Sequence, residues 1–365
     1  MIRRRRLFPL AAALAAPALP ARAQLVLRDA AGREVRLARP AERIVLGFNF
    51  EEFLAVAGPG AWDRVVGFNR RQWAINRPAV WQHYLARFPA LEALPDVGAT
   101  ENQSLSAERV IALRPDLFVI HEVGYRAQAD AMARIAAAGI AVLAVDYNAQ
   151  EPALHRASTL ALGSALGQAA RAQAIAAAYD AQIARVAGRA ASLARRPPAY
   201  VELGIGGPGT IGNSYAGTMW GRMVEQAGGR NIAEGRIPPG FSPLPAEAVL
   251  AAAPEHIVLV GATWSNRAGS ARAGYGVNEA EARASLAPYA ARPGWGGLPA
   301  VRAGNLSVVE SGLARSLMDW AGLQFLARRL HPDTFGDLDA EGELRQWHDA
   351  WLPVPFTGCW MASLS

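Results

Sequence analysis

The chain of 365 residues is 52% hydrophobic and 19% charged, which is enough apolar material for two domains that each have a core. It contains no lysine, so the basic residues behind its formal net charge of +6 are all arginines. No basic block typical of nucleic-acid binding occurs beyond the N-terminus, and we expect no DNA or RNA partner. The single cysteine, Cys359, excludes a disulfide within the chain.

The first 23 residues predict a signal peptide. They combine a basic start, a short apolar segment and the small-residue site A-R-A that ends at Ala23. The apolar segment is interrupted by Pro9 and Pro17 and is shorter than the roughly 20 residues that a membrane span needs. We therefore expect export to the periplasm by the general secretory route, with the twin-arginine route as the alternative. No cysteine lies at the cleavage site, which excludes a lipid anchor there.

Residues 24–150 alternate β-rich runs with helical runs, a pattern typical of βα units with a largely parallel sheet. Helices are predicted over "EEFLAVAG", "SAERVIALR" and "AQADAMARIAAAG", with Ser106 as an N-cap and Gly139 as a helix stop. The predicted strands are "RIVLG" from Arg43, "RVVGF" from Arg64, "DLFVI" from Asp116 and "AVLAV" from Ala141.

Residues 151–196 lack strand patterns and are rich in alanine. They predict one helix that ends at Gly163 to Gly167, followed by a helix on the order of 40 Å long. This composition is typical of a stiff connector. After it the βα pattern resumes, so we expect an N-terminal lobe over 24–150, a helical connector over 151–196 and a C-terminal lobe over 197–365.

Three enzyme-like motifs fail on their context. The run "GIGGPG" from Gly204 matches a dinucleotide-binding glycine pattern, but the next helix is predicted only near Thr218, so a loop is favoured. The sequence around Ser214 has one residue too many for a nucleophile elbow. The histidines show no zinc-binding spacing. We therefore expect neither catalysis nor a protein-bound metal.

Aromatic, amide and arginine side chains follow successive predicted strands in both halves. Because the carboxyl ends of parallel strands meet at one edge of a sheet, two such edges across a cleft would hold a planar or anionic ligand by stacking and bidentate pairing. For His121, which follows the strand "DLFVI", a structural role is favoured over ligand binding. The candidate ligand-binding residues are Phe48, Asn49, Arg70, Arg71, Trp73, His121, Tyr125, Arg126 and Tyr147 in the first half, and Asn213, Tyr215, Trp220, Trp264, Arg267 and Arg315 in the second.

Across nearly the whole mature length, the chain resembles the periplasmic substrate-binding proteins of ABC importers for iron–siderophore, heme and cobalamin. The resemblance is carried, in order, by "PAERIVLG", "WDRVVGF", "LSAERVIALRPDLFVI", "MVEQAGGRNIAEG" and "PLPAEAVLAAAPEHIVLV". It implies an α/β fold of two Rossmann-like lobes with mainly parallel sheets, joined by one long α-helix, with a ligand cleft between the lobes. It also implies a small hinge closure and a protein without catalysis. We expect a monomer.

The resemblance further implies docking to a permease dimer in the inner membrane through one glutamate of each lobe, here Glu108 and Glu225. The arginines suit an anionic ferric siderophore, although compositional bias also explains their number. Heme is the alternative, with Tyr125, Tyr147 or Tyr215 as axial ligand, and cobalamin comes third. We expect no intrinsic cofactor. Two other classes stay open, a secreted hydrolase that uses Ser214 and a binding protein coupled to a sensor.

Overall fold

The computed structural model describes residues 24–264, 267 and 269–364. The signal peptide predicted over residues 1–23 lies outside these residues. Within them, both halves of the chain consist of βα units around a mainly parallel sheet, and one long helix connects the halves, which confirms the predicted fold class. No helix of the described residues combines the length and hydrophobicity needed to cross a bilayer.

The N-terminal lobe contains a four-stranded parallel sheet and an antiparallel hairpin. Its strands are β1 (Leu25–Arg28), β2 (Glu34–Leu37), β3 (Ile44–Leu46), β4 (Val65–Phe68), β5 (Leu117–His121) and β6 (Ala141–Val145). Its helices are α1 (Phe50–Ala57), α2 (Pro78–Arg87), α3 (Ala107–Ala112), α4 (Glu122–Ala127) and α5 (Ala129–Ala137). The hairpin pairs β1 with β2, and the sheet has the order β4-β3-β5-β6.

Local sequence explains several of these elements. Strand β5 lies between β3 and β6, and all its residues are buried, as is typical of a central parallel strand whose two faces are both covered. Its first four residues are accordingly an apolar run without alternation. The hydroxyl of Ser106 accepts a hydrogen bond from the backbone N of Arg109 (3.2 Å), which confirms the predicted N-cap of α3. Gly139 follows α5 with a φ of 82°, a left-handed conformation that favours glycine.

The connector consists of α6 (Pro152–Leu166) and α7 (Ala169–Ala191). Helix α6 ends at Gly167, whose φ is 71°. Gly163 does not end the helix but lies inside it, and its missing Cβ lets the two helices approach: a Cβ there would lie 2.2 Å from that of Ala172. At 23 residues, α7 is roughly 35 Å long.

Helix α7 contacts both lobes. Near its start, Arg171 donates a hydrogen bond from Nε to the carbonyl of Ala55 in α1 (2.6 Å). Further along, Gln182 donates to the carboxylate of Glu343 near the C-terminus (2.8 Å). The helix therefore lies between the two halves of the chain, as the connector prediction requires.

The C-terminal lobe contains a five-stranded sheet and a two-stranded antiparallel sheet. Its strands are β7 (Pro198–Leu203), β8 (Asn213–Ala216), β9 (Arg230–Asn231), β10 (Gly240–Pro243), β11 (His256–Gly261), β12 (Leu306–Glu310) and β13 (Met361–Ser363). Its helices are α8 (Met219–Gln226), α9 (Ala246–Ala252), α10 (Glu279–Ala290), α11 (Pro299–Arg302), α12 (Asp319–Leu330), α13 (Pro332–Phe335) and α14 (Ala340–Trp351). The sheet order is β13-β12-β11-β7-β9, with β13 antiparallel, and β8 pairs with β10.

One hydrophobic core is continuous through both lobes. It includes Phe53 and Val119 from the first lobe, Tyr179 from α7, and Val201 and Trp320 from the second lobe. Separating the lobes would expose this shared apolar surface, which is unfavourable.

Candidate functional site

A cavity of about 350 Å³ lies between the lobes. Residues that follow β3, β11 and β12 line it, together with Leu203 at the end of β7. The carboxyl ends of both parallel sheets therefore face this cavity, which is where open α/β sheets place ligands. The predicted ligand-binding residues that line it are Phe48, Asn49, Trp73, Tyr215, Trp264 and Arg315.

His121 lies just behind this lining. Its ring packs on Phe48 with the centroids 4.3 Å apart, and its Nε2 is 4.0 Å from a carboxylate oxygen of Glu101. Burial, with a further effect of Arg315, lowers the pKa of His121 to about 4. A neutral imidazole in this position supports the Phe48 ring, which agrees with the structural role favoured for this histidine.

Three of the predicted arginines in the first lobe do not line the cavity. Arg70 donates two hydrogen bonds of 2.7 Å, to the carbonyls of Glu92 and Leu94. Arg71 is exposed, and Arg126 is exposed and paired with Glu122 in the same helix. Local partners or solvent hold these guanidinium groups away from the cleft.

The remaining predicted residues also lie outside the lining. The Arg33 guanidinium covers the Tyr125 ring at 3.9 Å. Tyr147 is fully buried with its hydroxyl 3.2 Å from that of Thr159. Three residues of the second lobe complete this group: Asn213 on β8, the fully buried Trp220 and the exposed Arg267.

Three charged residues of the cavity, Glu51, Glu52 and Arg77, were missed by the sequence analysis. We call Asn49, Glu51, Glu52 and Arg77 the cleft floor; all four line the cavity, and both glutamates are only 4% exposed. The sequence did contain a signal for the two glutamates as site residues, because they lie in the first turn of α1, shortly after the end of strand β3. Arg77 carries no such signal, because it lies in the turn before α2.

Arg77 lies between carboxylates of the two lobes. Its Nη1 is 3.5 Å from Glu51 and its Nη2 is 3.1 Å from Glu310 at the end of β12. The second oxygen of Glu51 accepts a hydrogen bond from the buried hydroxyl of Tyr84 (3.2 Å). Burial raises the pKa of Glu51, and Arg77 opposes this effect. This network joins the lobes at the base of the cleft.

Glu52 lies beside this network, and no cationic side chain among the described residues forms an ion pair with it. Its carboxylate accepts hydrogen bonds from the backbone N of Leu317 in the second lobe (3.0 Å) and from the side chain of Asn49 (3.4 Å). Burial and the neighbouring charge of Glu51 raise the pKa of Glu52 to about 7. The cleft floor is therefore acidic, whereas the sequence analysis emphasised arginines.

The glycine-rich run has a structural role. It forms a loop after β7 whose backbone surrounds the buried Arg292, as the sequence analysis favoured over a nucleotide site. Arg292 forms a bidentate pair with Glu202 (2.6 and 2.8 Å) and donates to the carbonyls of Gly207, Pro208 and Thr210. The loop thus encloses an internal ion pair and presents Ile205 to the cavity.

Two further predictions concern a catalytic serine and a metal site. Ser214 is fully buried on β8 and lies outside the lining, so the geometry does not support a hydrolase that uses it. Among the described residues no group of three or more His, Cys, Asp and Glu side chains is arranged to hold a metal ion.

The two predicted docking glutamates lie on helices of different lobes. Glu108 in α3 is exposed, accepts a hydrogen bond from the hydroxyl of Ser106 (3.2 Å) and pairs with Arg134. Glu225 in α8 is half-buried and accepts a hydrogen bond from the backbone N of Asn231 (2.6 Å). Each carboxylate is accessible, and Glu225 is the more constrained of the two.

Two lobes, one connecting helix and a cleft between sheet edges define a solute-binding protein. The family described as "Periplasmic binding protein" matches residues 48–312, and the chain belongs to this family. Such proteins are components of ABC importers that act in the periplasm with a permease in the inner membrane, and they are generally not enzymes. No curated protein sequence matches the chain.

Several solved structures share the fold. The TroA-like periplasmic binding protein FepB from Veillonella parvula is 32% identical, with 93% of this chain and 99% of that chain covered and a TM-score of 0.87. The molybdate periplasmic binding protein MolA of Haemophilus influenzae is 18% identical (92% and 99% covered, TM-score 0.68). A periplasmic heme-binding protein from Pseudomonas aeruginosa is 23% identical (80% and 94% covered, TM-score 0.56). The last two similarities concern the fold alone.

Proposed function

We propose that this protein captures a metal chelate of the ferric siderophore type between its lobes and delivers it to an inner-membrane permease. The observation that carries the proposal is the cavity at the carboxyl ends of both sheets. Phe48, Trp73 and Trp264 contribute aromatic rings to its lining, and Arg315 adds a guanidinium group. Aromatic rings with a guanidinium suit a chelate that has flat apolar surfaces and anionic oxygens.

The similar structures support a metal-containing ligand. MolA of Haemophilus influenzae is a molybdate-binding protein, and the protein from Pseudomonas aeruginosa is a heme-binding protein. Heme is the second candidate here, and Tyr215 is the observation that favours it. Tyr215 lines the cavity, whereas Tyr125 and Tyr147 do not. Burial raises the pKa of Tyr215 to about 12, and the positive charge of Arg315 opposes this increase. A positive charge near the hydroxyl favours the phenolate form, which is the form of tyrosine that ligates heme iron.

Native mass spectrometry and absorbance of the protein purified from its own periplasm test the proposal. We expect bound iron, the mass of an organic chelator and a broad charge-transfer band. A Soret band would instead indicate heme, and Tyr215→Phe should then weaken or shift it. A protein that repeatedly carries a metal-free compound, or that binds neither ferric chelates nor heme on titration, would contradict the proposal.

The delivery step has a separate test. We propose that Glu108 and Glu225 dock on the permease, since carboxylates on helices of different lobes provide directional charge complementarity. The double charge reversal Glu108→Arg with Glu225→Arg should abolish uptake and leave ligand affinity unchanged. Glu247→Arg, at an exposed position in α9, is the matched control. Unchanged uptake in the double variant would remove these two residues from the docking role and favour a sensor-coupled protein.

A further inference from the structure

The cleft floor contains more negative charge than its one arginine compensates. Arg77 faces both Glu51 and Glu310, so its positive charge is shared between two carboxylates. Glu52 is the third carboxylate, and among the described residues no cationic side chain pairs with it. Its partners are the neutral N–H groups of Leu317 and Asn49. A buried carboxylate without a counterion is unfavourable.

An independent observation at the same place indicates a missing hydrogen-bond donor. Asn49 lines the cavity, is 6% exposed, and donates from its Nδ2 to Glu52 and to the carbonyl of Arg315 (both 3.4 Å). Its Oδ1 accepts no hydrogen bond from any described residue. Buried amide oxygens are normally paired. Asn49 and Glu52 thus both line the cavity and are hydrogen-bonded to each other, and no cationic side chain of the described residues pairs with Asn49 Oδ1 or with the Glu52 carboxylate.

Arg315 provides a second guanidinium group in the cavity lining. Its positive charge contributes to lowering the pKa of His121 and opposes the raised pKa of Tyr215. The cavity therefore has a cationic wall at Arg315 and an acidic floor at Glu51 and Glu52. A ligand that fits both regions must itself carry both signs of charge.

We propose that the ligand presents a protonated amine or guanidinium group to Glu52 and Asn49 on the cleft floor, while its anionic or metal-binding oxygens face Arg315. This inference rests on the proposed capture of a chelate in the same cavity, and it narrows the chelate to one with a cationic side group. An ammonium donor would satisfy Asn49 Oδ1 and would form a charge-assisted hydrogen bond with Glu52.

A pair of chelates that differ only in the charge of one group tests the inference. Ferrioxamine B is a neutral ferric trihydroxamate with one pendant protonated amine, and its N-acetylated form has the same iron centre without that charge. Tryptophan quenching measures both affinities, since Trp73 and Trp264 line the cavity. We expect the amine form to bind roughly tenfold tighter or more, as a charge-assisted hydrogen bond predicts.

Glu52→Gln should reduce this preference to about threefold or less, because the amide keeps an acceptor for Leu317 N but loses the charge. Glu247→Gln removes the same charge from the exposed surface and should leave the preference unchanged. Equal affinity of the wild type for the two chelates, or a preference that persists in Glu52→Gln, would overturn the inference. Circular dichroism of each variant verifies that the protein is folded.

If neither chelate binds, the result counts against trihydroxamates as ligands but does not test whether the cleft floor binds a cationic group. A second measurement then tests that binding directly. Agmatine carries a guanidinium and an amine but no metal. At millimolar concentration and constant ionic strength it should raise the melting temperature of the wild type saturably, and it should not do so for Glu52→Gln. Choline, a cation without N–H donors, is the control. No saturable effect of agmatine on the wild type would overturn the inference.

Discussion

The floor of the cleft differs from its rim, which we define as Phe241 and Trp264. The floor consists of buried charges that form hydrogen bonds across the two lobes, with Glu51 and Glu52 each 4% exposed. On the rim, Phe241 is 61% exposed and lies on β10, which pairs with β8. Removing the partner of a buried charge destabilises the folded protein, whereas an exposed ring contributes little to folding stability. The floor therefore couples ligand recognition to folding, and the rim adds contact area only.

The largest effect is expected at Arg77. Arg77→Met leaves Glu51 and Glu310 buried without their shared counterion, which typically costs about 3–5 kcal/mol of unfolding free energy. Denaturant unfolding followed by tryptophan fluorescence measures the loss. Arg283→Met, which breaks the exposed pair with Glu279, is the control and should cost far less. Similar losses in the two variants would show that the floor is not a distinct region.

The next effect is the pH dependence at Glu52. Its pKa is raised from 4.5 to about 7 in the folded protein. The folded state therefore favours the protonated acid, and this contribution to stability is complete below about pH 4.5 and is lost as the pH rises through 7.

Glu52→Gln removes this loss. Relative to the wild type, the variant should gain about 3 kcal/mol of unfolding free energy between pH 4 and pH 8, as a shift of this size implies. Urea unfolding at a series of pH values measures the difference. Glu247→Gln should follow the wild type at every pH. A difference between wild type and Glu52→Gln that does not vary with pH would show that folding does not raise the pKa of Glu52.

A smaller effect is expected at the rim. Phe241→Ala should weaken binding of the chelate by roughly three- to tenfold, because a ring contact is lost, and it should leave the melting temperature unchanged because the ring is exposed. Val123→Ala removes another exposed apolar side chain, 58% exposed and outside the cavity lining, and should change neither quantity. A clear loss of stability in Phe241→Ala would contradict the division between floor and rim.

The smallest effect is expected at Arg126, which the sequence analysis predicted as a ligand contact. The structure pairs it with Glu122 at the surface. Arg126→Ala should therefore change neither ligand affinity nor stability measurably. Loss of affinity in this variant, measured by tryptophan quenching, would restore the sequence-based role and would require a cleft wider than the described cavity.

The comparison between Arg70 and Arg77 shows why the sequence could not predict which arginine lines the cavity. Arg70 directly follows a strand end, which made it a candidate, but carbonyls about twenty residues along the chain bind its guanidinium. Arg77 lies seven residues further on and reaches Glu310, which is 233 residues away in sequence. No local pattern distinguishes the two arginines, because their partners come from different parts of the fold. The same holds for Tyr147 and Tyr215.

The amino-acid sequence by itself determined the alternation of strands and helices, the Ser106 cap, the long connector and the edge of the sheets at which a ligand site would form. These features follow from periodicity, capping and composition, which act over a few residues. Only the tertiary structure decided which side chains at that edge enter the cavity and that its floor is acidic. Burial and ion pairing depend on groups brought together from distant segments, and the pKa of Glu52 is raised only once those groups are in place.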